Sequence, residues 1–364
     1  MNGISRRTAL AGASAAAVTS MVAANTSASA SERSSATGIR PGMPKEVRMT
    51  WFGISNFHYQ IGELGILLDG AVGFPASEPN PAVVTQVREA LELKGTIDYV
   101  LLGHLHGDHS VDTPEWLKQT GAVFVGSAAA CQEAADYGIP ASRLRPVKGG
   151  EVMQLSPYVE MHVVKWVHSV GVGQTSPLTG GIETFGFLLK IRTPSKVLTM
   201  YFSDSGAGGA ELVKEHIVDG KNRGAPLTNL GLAMQAAGLQ TFELWQPGPE
   251  SRIVAQARVL VPTFRPRWLM PHHLGARGGF DLFGGLHYGF KAEEVPKLMS
   301  VLDKFDVPLV PPVNYFDAWV YDQDGLRSVD NALVKTTLGL PPAGPGPNPQ
   351  GPNPRAGDLE GPDD

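Results

Sequence analysis

Six consecutive residues, His104-Leu105-His106-Gly107-Asp108-His109, carry four side chains able to bind a metal ion. They follow the apolar run 97–102 after a single glycine, at the end of what reads as a buried strand. Imidazole nitrogens beside a carboxylate suit zinc and, less selectively, manganese or iron. In a loop, His104 and His106 can turn toward one ion. Asp108 and His109 are neighbours whose side chains diverge, and they would reach a second ion. The plainer reading is a polar loop of solvated histidines, and four donors in so short a stretch make it a poor account.

The elements that must hold such a loop are legible on either side. Strands are expected over 122–125, 161–167, 185–191 and 197–202, with a further one over 242–245. Helices are expected over 81–93, 114–119, 128–137 and 292–305. Pro81 and Pro114 suit first-turn positions, and Ser127 is a plausible N-cap for the third helix. Strands and helices mixed without repeats predict a layered α/β domain.

The H-x-H-x-D-H run resembles the signature of the metallo-β-lactamase superfamily. Residues 49–53 and 65–70 are similar to its opening strands, the second ending in Asp69. Trp166-Val167-His168-Ser169, Phe202-Ser203-Asp204-Ser205-Gly206 and Met270-Pro271-His272-His273-Leu274-Gly275 match its later motifs in order. The resemblance spans about 47–322 and implies a four-layer αβ/βα sandwich. It implies that His104, His106 and His168 hold one ion and Asp108, His109 and His273 the other, with Asp204 bridging them. His162 shares strand parity with His168, but lies among Met161, Val163 and Val164 and reads as a core or surface histidine. The family's Pro-x-His-x-Gly pattern selects His273 over His272, which could instead orient the ligands around it.

Two cations sharing a water lower its pKa toward ~7 and polarise the substrate oxygen, so hydrolysis is the expected reaction. Asp108 is the candidate catalytic residue, orienting the nucleophile or relaying a proton. A bridging aspartate argues against β-lactam hydrolysis. Pro271-His272-His273-Leu274-Gly275 with Trp51-Phe52-Gly53 looks similar to the branch of sugar-phosphate lactonases and phospholipase-D-like phosphodiesterases. A lactone, ester or phosphoester is therefore the expected substrate class. Lys165, Arg252, Arg277 and Lys291 are scattered and read as solvated charges, whereas His287 and Tyr288 are candidates for the pocket wall. His58 and His216 read as structural. Two other readings stay open: an iron-dependent oxidoreductase of the same superfamily, and a non-catalytic exported protein that keeps a metal for structure.

The 364-residue chain is 42% hydrophobic and 18% charged, with formal net charge -5. This balance gives no electrostatic footprint for nucleic acid, and a small-molecule substrate is expected. Cys131 is the only cysteine, which excludes an intrachain disulfide and a thiolate cluster. Ser5-Arg6-Arg7-Thr8-Ala9-Leu10 reads as a twin-arginine motif, and Ala28-Ser29-Ala30 as a small-x-small cleavage site. The stretch 9–24 between them is short of the ~20 apolar residues of a spanning helix, so no stable membrane anchor is expected. These features predict a signal peptide over 1–30, transient use of the twin-arginine machinery, and a mature protein outside the cytoplasmic membrane. A linker is expected over 31–46, a hydrolase domain over 47–340 and a disordered Pro/Gly-rich tail over 341–364. Within the domain, 206–267 reads as a substrate-selecting insertion, its stretch 227–239 being either a core helix or a lid.

Overall fold

A computed structural model of the chain describes residues 42–73, 77–168, 178–179, 182–205, 208–248, 252–274 and 294–342. The expected signal peptide, most of the linker and nearly all of the tail lie outside the described residues. So do the loop after His168, Arg277, Lys291, and His287 with Tyr288.

The first half opens with an antiparallel meander, β1 (Glu46–Trp51), β2 (Phe57–Ile61) and β3 (Leu64–Leu68). Helices α1 (Pro81–Glu92), α2 (Gly107–Ser110), α3 (Thr113–Thr120) and α4 (Ala128–Asp136) alternate with β4 (Tyr99–Leu101), β5 (Val123–Gly126) and β6 (Leu144–Pro146). Strands β3 to β6 run parallel. The second half repeats this plan. Its antiparallel part is β7 (Val152–Ser156), β8 (Val159–Val167), β10 (Glu183–Arg192) and β11 (Val197–Ser203), with β9 (Leu178–Thr179) lying outside that sheet. Then come α5 (Gly209–Val213), the hairpin β12 (His216–Val218) and β13 (Lys221–Gly224), and α6 (Pro226–Ala236). Parallel strands β14 (Leu244–Pro247) and β15 (Trp268–Leu269) flank α7 (Ile253–Phe264). The chain closes with α8 (Glu294–Leu302), β16 (Ala318–Asp322), β17 (Gly325–Val329) and α9 (Ala332–Thr337).

Two sheets result. One has eight strands in the order β17-β16-β1-β2-β3-β4-β5-β6, the other six in the order β15-β14-β11-β10-β8-β7. Strands β9, β12 and β13 form a small third sheet. The two large sheets share one apolar core, and Tyr59 of β2 donates to Gln246 of β14 across it at 2.9 Å. Helices α3 and α4 pack on the first sheet and α6 on the second. This is the four-layer αβ/βα sandwich that the resemblance implied.

Local chemistry starts the helices where the sequence placed them. Asn80 caps α1 by accepting from Val83 N at 3.3 Å, and Pro81 is its first residue. Ser127 caps α4 by accepting from Ala130 N at 3.0 Å. Cys131 is buried on the inner face of α4, and burial pushes its thiol up to about 11, as an inert core cysteine requires. No helix among the described residues is long and apolar enough to cross a membrane.

The stretch 206–267 is built into this frame. Strand β14 lies between β11 and β15, so removing the stretch would split the six-stranded sheet. Helix α6 buries Pro226, Leu230 and Met234, one residue every four, and packs against β8. It is an outer layer of the sandwich, in place of a lid.

At the end of the sheets away from the loop 104–109, Glu243 ties the halves together. It accepts from Lys196 at 3.0 and 3.1 Å, from Arg267 at 3.1 Å, and from the hydroxyl of Tyr321 on β16. Burial alone would raise its pKa, but hydrogen bonds from Tyr321, Lys196 and Arg267 outweigh burial and hold it below its ordinary value. A depressed carboxyl contributes stability above its unfolded pKa and loses it as pH falls through the folded one. Glu243→Gln should therefore cost about 1–3 kcal/mol at neutral pH. Thermal melts in a pH series should show the difference from wild type shrinking toward zero in acid.

Candidate metal centre

Every expected ligand sits just past the carboxyl end of a strand, where open α/β sheets gather functional loops. After β4 come Leu102 and Gly103, then His104 to His106, and at Gly107 the chain turns into α2. The amides of His109 and Ser110 both donate to His106 O at 2.9 Å, which closes the turn. His168 follows β8, Asp204 follows β11, and His273 lies four residues past β15.

The two sheets bring these residues into three overlapping groups, each with ligand atoms within 4.8 Å of one another. One group is His104, His106 and His168; another is Asp108, His109 and His273. The third, His104, His109 and Asp204, joins the other two. His273 Nε2 lies 3.2 Å from Asp108 Oδ2, and the His106 and His168 rings are 4.5 Å apart. Asp204 is fully buried, with Oδ2 against His104 Nδ1 and Oδ1 3.0 Å from His109 Nδ1. His106 is exposed and marks the open side.

Asp69 and Ser55 complete the arrangement. Fully buried Asp69 directly follows β3 and sits in the left-handed region at φ 58°. Its Oδ2 lies 2.8 Å from His109 Nδ1, and Ser55 Oγ is also 2.8 Å from that nitrogen. An Nδ1–H committed to Asp69 leaves Nε2, on the side of Asp108 and His273, as the nitrogen free to ligate. From sequence, Asp69 is marked only as the end of a strand resembling the family's, with no role given to it, and Ser55 is not marked at all. The available signal for Asp69 was a carboxylate and a glycine directly after a run of buried aliphatics.

Electrostatics favour a cation here. Burial and the charge of Asp204 push Asp69 up to about 6. Burial would raise Asp108, but His109 and His273 hold it below the usual carboxylate range. Burial, His109 and His106 keep His104 neutral, as a ligand must be. His104 Nε2 is buried without a hydrogen-bond partner. A buried nitrogen left so costs about 1–3 kcal/mol, and a metal ion would satisfy it. The donor set therefore fits the expected cations.

The loops are held from beneath by four fully buried tryptophans. Trp51 donates to Ile54 O at 2.9 Å, Trp116 to Gly70 O at 2.6 Å, and Trp166 to Ser205 O at 2.6 Å. Trp245 donates to Ser203 Oγ at 3.3 Å. Each receiving residue lies within two of Asp69 or Asp204, or, for Ile54, in a bridge with Leu274 beside His273. His273 is itself left-handed, at φ 65°, with its amide donating to Ile54 O at 2.9 Å.

Other residues fall away from the centre. His272 packs on Phe202 and contacts Ser203 O at 2.9 Å, while His162 bonds Glu160 and His58 bonds Thr96 O. His216 is buried in β12. Arg252, expected as a solvated charge, is buried at the start of α7. A Cβ on Gly208 would lie 3.5 Å from its guanidinium, so Gly208 packs beside it.

Gly103 is required for the approach of the two halves. A Cβ there would lie 2.0 Å from Asp204 Oδ2 and 2.2 Å from Asp204 Cβ. Its carbonyl also accepts from Phe185 N of β10 at 2.9 Å. Gly103→Ala should displace Asp204 and weaken metal binding by about 10–100-fold, as losses in a ligand's supporting shell do. Chelator titration followed by elemental analysis measures this, with circular dichroism checking that the sheets remain.

No protein-family model matches the chain. It is similar to a protein of Pyrobaculum calidifontis described as a UPF0173 metal-dependent hydrolase, 26% identical over 227 residues, covering 62% of this chain and 84% of the relative. A protein of Rhizobium meliloti with the same description is 32% identical over 117 residues, covering 32% of this chain and 46% of that one. Among solved structures, a metallo hydrolase from the archaeon Ignicoccus hospitalis has a TM-score of 0.48 at 16% identity, covering 76% of this chain and 99% of the other.

Proposed function

We propose that the chain is an exported hydrolase in which two cations, with zinc first and manganese or iron as variants, activate water against a lactone, ester or phosphoester. The position of Asp204 carries this reading. Its two carboxylate oxygens are divided between His104 and His109, each of which belongs to a separate ligand group. A carboxylate so placed suits a bridge between His104, His106 and His168 on one side and Asp108, His109 and His273 on the other. The relatives described as metal-dependent hydrolases support the reaction class. The chain is a metal-dependent hydrolase.

Bound cations would supply a water of lowered pKa and polarise the substrate oxygen. The chain's own residues do the rest. Asp69 and Ser55 fix the His109 ring, so its ligating nitrogen stays aimed at the centre. Asp108 is half-buried and kept ionised, beside His273 on the rim of the site. It can orient a nucleophile or take a proton from it. Exposed His106 leaves the entrance on its own side. The substrate class rests on the resemblance of the Pro271–Gly275 motif, and export on the twin-arginine motif at Ser5-Arg6-Arg7.

Elemental analysis of protein purified without added metal should give two ions per chain, and Asp204→Asn no more than one. Turnover of lactone and phosphodiester substrates by this variant should fall by about 10²–10³-fold or more, as when a main stabiliser of transition-state charge is lost. A variant that keeps both ions and full turnover would sink the bridging role. Redox turnover with bound iron in place of hydrolysis would replace the proposed reaction.

A further inference from the structure

The peptide joining Ser203 to Asp204 is where the central carboxylate leaves β11. Its carbonyl meets two donors, His272 Nε2 at 2.9 Å and Gly248 N at 3.3 Å. His272 is fully buried, its ring stacked on Phe202 with centroids 4.4 Å and planes 11° apart. Its amide donates to Pro247 O at 2.9 Å. The ring fits only because residue 248 is glycine, where a Cβ would lie 2.3 Å from the ring. Gln256 of α7 braces the far side by donating to Gly248 O at 2.9 Å. The residue after His272 is His273, beside Asp108.

Packing does not explain this imidazole. His272 Nδ1 is buried with no hydrogen-bond partner, a desolvation cost that a phenyl ring would not carry. A phenyl ring would keep the stacking on Phe202. What it would lose is the bond to Ser203 O.

We propose that His272 is a positioning residue that couples Asp204 to His273. Its ring bonds the carbonyl of Ser203, the residue before Asp204, and its own chain position is the one before His273, so both ligands keep one spacing. The inference rests on the reading of Asp204 and His273 as ligands. It goes further in giving the intervening histidine a mechanical task.

The experiment compares wild type, His272→Phe, His272→Gln and Gly248→Ala. Each is titrated with a chelator, its bound metal counted by elemental analysis, and the visible spectrum of its cobalt-substituted form recorded. His272→Phe should melt, metal-free, at or above the wild-type temperature. It should nonetheless release one of its two ions at about 10–100-fold lower chelator, with an altered cobalt spectrum. His272→Gln restores a donor and should recover part of the affinity. Gly248→Ala pushes the ring off the carbonyl and should reproduce the Phe effect, which keeps the test decisive if the Phe variant does not fold. Wild-type affinity for both ions in His272→Phe or in Gly248→Ala would overturn the proposal alone. Wild-type protein that holds no second ion overturns the two-ion reading, and this inference with it.

Discussion

Three carboxylates, Asp69, Asp108 and Asp204, are gathered where two sheets meet, and two of them are wholly removed from water. Burying an uncompensated carboxylate costs several kcal/mol after relaxation. Like charges placed together deepen that cost, and the charge of Asp204 adds to burial in pushing Asp69 up to about 6. The histidines around them offset it in part, because a charged His109 is favoured by Asp204, Asp108 and Asp69 against the opposing effect of burial. A bound cation would offset it more fully while leaving the imidazoles neutral. The surrounding packing then has one task, to stop the carboxylates from moving apart.

The two halves contribute to that task unequally. The first sheet delivers four donors from one short loop, whereas the second delivers three, each from a separate strand end. His104 and Asp204 are 100 residues apart, so no local segment contains the centre. It exists only once both halves have docked. Strain is tolerated at that junction. Asp69, Ile54 and His273 are all non-glycine residues in the left-handed region, a conformation costing about 1–3 kcal/mol at each site. All three lie on the loops that hold the candidate ligands, and the core beneath them is what keeps them there.

How far the sequence revealed this follows from the range of the interactions involved. The dense loop 104–109 needs only its own residues to announce a metal, and the first-turn Pro81 and the cap at Ser127 are equally local. The strands on which His168 and Asp204 depend read correctly because each is a long apolar run. The strand expected over 242–245 is present as β14 over 244–247, but a four-residue run with every residue buried does not disclose that it sits between two other strands of a sheet. With glycine-rich segments around it, the region looked like an insertion. Ser55, Asp69 and Gly103 matter through partners at least 34 residues away, which periodicity cannot see. Arg252 was misread for a related reason, since a charge in a sequence does not disclose its burial in the fold.

The four tryptophans beneath the centre have an optical consequence. Indole emission depends on the polarity and hydrogen bonding around the ring, and here each ring N–H is attached to a loop that frames the carboxylates. These are four of the six tryptophans in the chain, and all four are shielded from solvent. Their light should therefore report on the state of those loops rather than on the protein surface. Filling or emptying the centre, or shifting Asp204 by a fraction of an ångström, would be written into the native spectrum without any attached label. The molecule carries its own gauge of whether the two halves are seated.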